Sequence, residues 1–435
     1  MEWREEYKQK LMTAAEAVKI VKSGDRVYTG TASSVAYELV QALWERKEEL
    51  EEVKILSSQA FEPSLLYNTF DDNPFAFSTY FVGVNERKVK RAGLPFEFTS
   101  VHLSQIDLWI NNNARPDVAF FEVSLPDENG YMSFGASGVA LHEEIKKVSK
   151  KIILQVNSKV PCTLGEHNLI HISEADAVVE MDREIMSYET PEADDKAREL
   201  SKHILEKIED GSTIQLGLGN ISTAIGYGLK EKNDLGIHTE LFNQPMLDLI
   251  ENGNVTNKYK GFMDGKSVYS FALGTSSFYK ALDKNPDFYC VPFTYANDPR
   301  VIAKNKKMIS INSTMSLDLY GQAASECLGW NQQSGTGGQL DFVRGAQWSE
   351  GGKSFIVMTA SFIKNGKKIS RIVPSFAAGS VVTTPRADIQ YVATEYGCVN
   401  LKELTMKDRA RALISLADPD FRELLTDEAK KNGLW

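Results

Sequence analysis

The sequence predicts an α/β fold in two domains, and three observations carry that expectation. Short apolar runs rich in β-branched residues alternate with amphipathic stretches of helical length, the pattern of βα units wound into parallel sheets. The chain has 435 residues, well beyond the roughly 100 to 200 of one ordinary domain. The stretch MSYETPEADD at 186–195 is acidic, holds a proline and lacks apolar periodicity, as a linker does. The expected domains therefore run over 1–190 and 196–435.

In chain order, the first half offers DRVYTG from Asp25, EVKILSS from Glu52, PDVAFFEVS from Pro116, KKIILQVN from Lys150 and ADAVVEM from Ala175 as strands, each ending in small or polar residues. A helix is expected from Thr13, where TAAEAVKIVKSG places Ala, Val and Ile at helical spacing and ends at Gly24. After the linker the alternation restarts. GSTIQLGLG from Gly211, DLGIHTEL from Asp234, KKMISINS from Lys306, KSFIVMTA from Lys353 and DIQYVATEYG from Asp388 read as strands or strand ends. Ligands of open parallel sheets sit beyond the carboxyl ends of strands, which directs attention to Gly217, Glu240 and Asn312.

Composition removes several functional classes. With 42% hydrophobic and 25% charged residues the chain has a globular profile, and a net charge of −10 gives no basic field for nucleic acid or an anionic membrane surface. No window reaches the roughly 18 uninterrupted apolar residues of a membrane span, and MEWREEYKQKL at the start lacks the apolar run of a signal peptide. Cys162, Cys290, Cys327 and Cys398 form no CxxC pair, so neither a zinc site nor a disulfide framework is suggested, and a reducing cytoplasm is the expected setting. His167 and His171 in EHNLIH lack the HExxH order and read as structural. Neither a GxSxG elbow nor a P-loop is present.

Three segments could carry chemistry. GLGNIS, Gly217 to Ser222, follows an apolar strand and opens the helical stretch STAIGYGLKEK, so its backbone amides and helix start suit an anionic ligand. With Gly226 it makes a loose glycine pattern that departs from GxGxxG, and a plain tight turn accounts for it equally well. In GIHTELF, Glu240 stands between a strand end and the helix PMLDLIEN; it could be a nucleophile or base, or simply a carboxylate at a helix start, and His238 beside it reads as structural. The third segment, SGTGGQ at Ser334 to Gln339, could form an oxyanion nest or a CoA-contacting turn, or a flexible hairpin.

The motifs PDENGYMSFG, QLGLGN, GIHTEL, ANDPRVI, SGTGGQLDFVRGA, SRIVP and ATEYGCVNL followed by RARALISLADPDFRE, in that order along most of the chain, closely resemble the acetyl-CoA hydrolase/transferase family. The start, MEWREEYKQKL and AVKIVKSGDRV, is similar to the butyryl-CoA:acetate and 4-hydroxybutyrate CoA-transferases. The resemblance implies two related open parallel-sheet α/β domains with the active site at their interface, and a glutamate in the motif HTE, here Glu240, that becomes a glutamyl-CoA thioester. It further implies that Gly217, Leu218, Gly219, Asn220 and Ile221 contact CoA, that Gly335 lies by the thioester oxygen, that Asn297 holds the glutamate, and that SFIVMTAS supplies another CoA contact near Met358. The stretch GQAASECLGW, with Ser325, Cys327 and Trp330, departs from those relatives and leaves the acids exchanged open.

The expected reaction moves CoA between acyl-CoA and small carboxylic acids such as acetate and butyrate, with no metal and no cofactor beyond CoA as substrate. A carboxylate is a weak nucleophile, so the rate must come from positioning, water exclusion and oxyanion donors. A hydrolase would use the same glutamate and admit water. A nicotinamide-dependent oxidoreductase would need a regular glycine fingerprint, and a non-catalytic acyl-CoA-binding protein would not need Glu240. A homo-oligomer is the default assembly. Trp330, Phe61 and Tyr80 fit either an acyl pocket or an ordinary core.

Overall fold

The computed structural model describes residues 2–61 and 64–435, which form two compact units, one of residues 1–189 with 268–296 and one of residues 190–267 with 297–435. The chain thus leaves the second unit once, at 268–296, and returns.

The first unit holds a seven-stranded sheet of β1 (Arg26–Thr31), β2 (Lys54–Ser58), β3 (Ala76–Thr79), β4 (Phe96–Phe98), β5 (Val118–Val123), β6 (Lys151–Val156) and β7 (Ala177–Glu180). Its order is β4-β3-β2-β1-β5-β6-β7 and every pairing is parallel. All six residues of β5 are buried, as a strand covered on both faces requires, and this is why VAFFEV reads as a continuous apolar run. Val27, Ile55, Phe77, Phe120 and Ile153 meet Val18, Leu39 and Leu43 in one core. The helix expected from Thr13 to Gly24 is shorter than its pattern. A capping box between Thr13 and Glu16 starts it, but only Ala14–Ala17 is α-helical and Val18–Ile20 tightens into a 3-10 turn. The β-branched pair Val18 and Ile20 disfavours another α turn.

The second unit carries β8 (Thr213–Leu216), β9 (Gly236–Ile237), β10 (Met308–Ser313), β11 (Lys353–Val357), β12 (Tyr391–Thr394) and β13 (Gly397–Asn400), in the order β9-β8-β10-β11-β12-β13. All pairs are parallel except the final hairpin of β12 and β13. DLGIHTEL shrinks to a two-residue strand, because the pairing at the sheet edge ends after Ile237 and the chain turns at Glu240. Three helices of this unit adjoin its strands in sequence: α1 (Asn220–Gly228) after β8, α2 (Gln244–Glu251) after β9, and α3 (Gln339–Trp348) before β11. At Gly226 helix α1 lies so close to α2 that a Cβ would stand 2.7 Å from a Pro245 carbon, so this glycine is there for packing and not for a nucleotide loop. Among the described residues no helix is long and apolar enough to cross a membrane.

Candidate active site

The parallel register sets two of the three candidate segments side by side. Ile214 of β8 pairs with Ile237 of β9, and Gly217 and Glu240 each come three residues later, at the carboxyl edge of the same sheet. Between Ile237 and Glu240 the backbone is fixed by His238, whose N–H donates to Ile214 O at 3.3 Å, and by Thr239, whose hydroxyl donates to Leu241 O at 2.8 Å. Both are fully buried, and the His238 ring packs 6.2 Å from Phe342, a structural place. Glu240 does not cap the helix after it. That task belongs to Asn243, whose Oδ1 accepts the N–H of Met246.

The glutamate instead faces the start of α3. Gly337, at φ +60°, turns the chain so that the backbone of Gly338, the residue before the helix, meets the carboxylate. A Cβ on Gly338 would stand 2.1 Å from Glu240 Oε2 and 2.1 Å from Asn297 Nδ2, so only glycine fits. Through that gap the Gly338 N–H reaches Glu240, while Asn297 Nδ2 donates to Glu240 Oε2 at 2.7 Å. Asn297 is itself fully buried and precedes Asp298, which caps the short helix Pro299–Ile302 through the N–H of Arg300 at 2.8 Å. Two donors, one from a packed side chain and one from a helix start, thus converge on one carboxylate.

Burial pushes the Glu240 carboxyl up to about 7; the Asn297 bond opposes the rise, the Asp341 carboxylate in the first turn of α3 adds to it, and the Gly338 N–H opposes it. Near neutral pH the group is therefore divided between acid and carboxylate, and the carboxylate that forms is more basic and less hydrated than one in water.

The other predicted residues fall at varied distances from this centre. The loop from Gly217 to Ile221 sits on the adjacent strand end. Gly219, at φ +109° with open space around it, begins α1, and Leu218 is exposed. Asn220 is tied to Asp194 at 2.8 Å and Ile221 is buried. Met358 comes directly after β11, three strands from β9 and so about 14 Å across the sheet, with its side chain in the core cluster that includes Val343 and Ile372. Gly335 lies in the turn three residues before the glycine that meets Glu240. Asn312 stays within the sheet, its Nδ2 donating to Gln215 Oε1 at 3.3 Å and Ser310 Oγ at 2.9 Å. His171 caps the turn Ile172–Glu174. Tyr80 packs against Trp109 as core, whereas Trp330 is 85% exposed. Neither Gly338 nor Asp341 is marked out by its local sequence. The double glycine of SGTGGQ was the available signal, but the segment alone does not say which amide points at a ligand.

Two family models match this chain, and residues 189–273, which include Glu240, lie between the matched ranges. Residues 1–188 match the acetyl-CoA hydrolase/transferase N-terminal domain and residues 274–429 the C-terminal domain of that family. The 4-hydroxybutyrate coenzyme A transferase of Clostridium kluyveri is 38% identical, covering 99% of this chain and 100% of its own. The butyryl-CoA:acetate CoA-transferase of Anaerostipes caccae is 37% identical, covering 100% and 99%. The crystal structure of RipA from Yersinia pestis superposes with a TM-score of 0.91 at 34% identity over 100% of both chains. The acetyl-CoA hydrolase of Kluyveromyces lactis is more distant, at 27% identity over 72% of this chain and 65% of its own.

Proposed function

Because the chain belongs to the acetyl-CoA hydrolase/transferase family, we propose that it transfers CoA between small acyl-CoA thioesters and free carboxylates such as acetate and butyrate, with Glu240 as the covalent carrier. One Glu240 oxygen attacks the acyl-CoA carbonyl and the C–S bond breaks, giving a mixed anhydride and CoA thiolate. The thiolate then attacks the Glu240 carbonyl carbon and expels the acyl group as a free carboxylate, leaving glutamyl-CoA. An incoming carboxylate runs the same steps in reverse. The reading rests above all on the paired donors at Glu240, Asn297 Nδ2 at 2.7 Å and the Gly338 N–H. They orient the carboxylate for attack, and they stand where negative charge develops when the thiolate adds to the glutamyl carbonyl.

Acyl exchange tests the reading. Butyryl-CoA with isotopically labelled acetate should give labelled acetyl-CoA and butyrate in equal amounts, with little free CoA. Free CoA accumulating at a rate indifferent to acetate would favour hydrolysis instead, the reading for which the more distant relatives speak.

Asn297→Ala removes one donor and should lower kcat by about 10²-fold, with folding measured by thermal melting. Its pH profile carries a sign. Glu240 must be ionised to attack, so kcat/KM of the wild type should fall as pH drops below about 7. Asn297 favours the ionised form, so its loss should move that limb to higher pH; a limb that stays in place would remove Asn297 from the carboxylate.

A further inference from the structure

We propose that Glu326 is a positioning residue for the transfer reaction, a buried carboxylate that holds the 332–338 loop so that the Gly338 amide meets Glu240; the inference rests on the reading of Glu240 as nucleophile. Glu326 is 3% exposed and gathers the loop with both its backbone and its side chain. Its backbone carbonyl accepts the N–H of Gln333 at 2.7 Å and of Ser334 at 3.2 Å. Its carboxylate accepts Gln332 Nε2 at 3.1 Å and the Thr336 hydroxyl at 3.3 Å, both from the loop, and the Thr383 hydroxyl at 3.1 Å from a separate segment. Thr383 is anchored in turn, its N–H donating to Ala323 O at 2.8 Å, and its neighbour Thr384 accepts Gln339 Nε2 at 3.1 Å at the first residue of α3. One buried carboxylate therefore joins the loop to the Thr383 segment, whose neighbour Thr384 also holds the first residue of α3, on either side of the glycine that must stand within hydrogen-bond reach of Glu240.

A loop of Ser, Gly, Thr, Gly and Gly has almost no side-chain packing of its own and a large conformational entropy when released. Placing the Gly338 amide to a few tenths of an ångström needs an external clamp, and a carboxylate with three donors supplies one. The contribution is to the geometry of the transition state, so it should appear in kcat, not in acyl-CoA binding.

The test uses the full-length protein and four variants: Glu326→Ala, Glu326→Gln, Thr336→Val and Thr383→Val, the last two nearly isosteric. Each is measured for melting temperature, for kcat and KM in the butyryl-CoA and acetate exchange, and for the single-turnover rate of CoA adduct formation on Glu240. The expected result is a fall of ten-fold or more in kcat and in adduct rate for Glu326→Ala with KM within about three-fold of wild type, and smaller falls for the other three. Thr336→Val combined with Thr383→Val should cost less than the product of the single effects, since both act through one carboxylate. Variants that melt lower but keep the wild-type kcat would overturn the inference and leave Glu326 a structural residue. If Glu326→Ala does not fold, the two threonine variants decide by the same criterion. A wild type that forms no adduct and exchanges no acyl group would instead defeat the reading of Glu240 itself.

Discussion

Replacing Glu240 with alanine or glutamine should lower kcat/KM for acyl exchange by about 10⁴-fold or more if, as proposed, this carboxylate forms the covalent bond, since no other group can take its place. Glutamine is the sharper variant. It keeps the length of the side chain and a carbonyl oxygen that accepts from Asn297 and Gly338, and removes only nucleophilicity and charge. It should also leave the fold at least as stable. The Glu240 carboxyl is held above its ordinary value in the folded protein, so stability from this group is fully present below the unfolded value and is lost as pH rises through about 7. At pH 8 a neutral glutamine escapes that loss, and Glu240→Gln should melt no lower than wild type. A Glu240→Gln protein that is folded and retains a tenth of wild-type exchange would remove the nucleophile from the mechanism.

Adding one methyl group at Gly338 should lower kcat by about 10³-fold, the upper end of what the loss of a single oxyanion donor costs. The new carbon would sit 2.1 Å from both Glu240 Oε2 and Asn297 Nδ2, closer than any real contact. Something must shift, and the groups concerned are the Glu240 carboxylate, the Asn297 amide and the Gly338 N–H. The cost falls mainly on the site, since Gly338 lies at φ −92°, outside the left-handed region and allowed to alanine. Gly338→Ala should therefore melt within a few degrees of wild type. Gly335→Ala, three residues earlier, serves as the comparison: a loss at Gly338 well above that at Gly335 ties the effect to the amide that touches the carboxylate.

How much of this was legible in the sequence depends on which interactions are local. The parallel sheets were, because strands covered on both faces read as apolar runs whatever their partners, as VAFFEV of β5 and KIILQV of β6 do. Glu240 stood out through its place after a strand and through the motif HTE. Its own segment nonetheless allowed a helix-start carboxylate, and only the structure shows Asn243 in that role and Glu240 against a helix a hundred residues later. Gly338 and Asp341 were hidden for the same reason, since a glycine required by a distant carboxylate looks like any glycine of a turn. The excursion of residues 268–296 into the first unit also leaves no local mark. The strand SVY (Ser267–Tyr269), where the crossing begins, and FAL (Phe271–Leu273) after it are fully buried like the inner strands of either unit. Val18–Ile20 misled in the other direction, with helical spacing but β-branched residues that close the helix early.

If CoA is carried on Glu240, mixing the protein with butyryl-CoA in the absence of any acceptor leaves the carrier loaded, and intact mass measurement reads it. The expected result is a gain of the mass of CoA less one water, mapped by peptide analysis to Glu240, absent from Glu240→Gln and discharged by acetate as acetyl-CoA forms. Robust acyl exchange with no adduct on Glu240, or with the adduct on another residue, would contradict it.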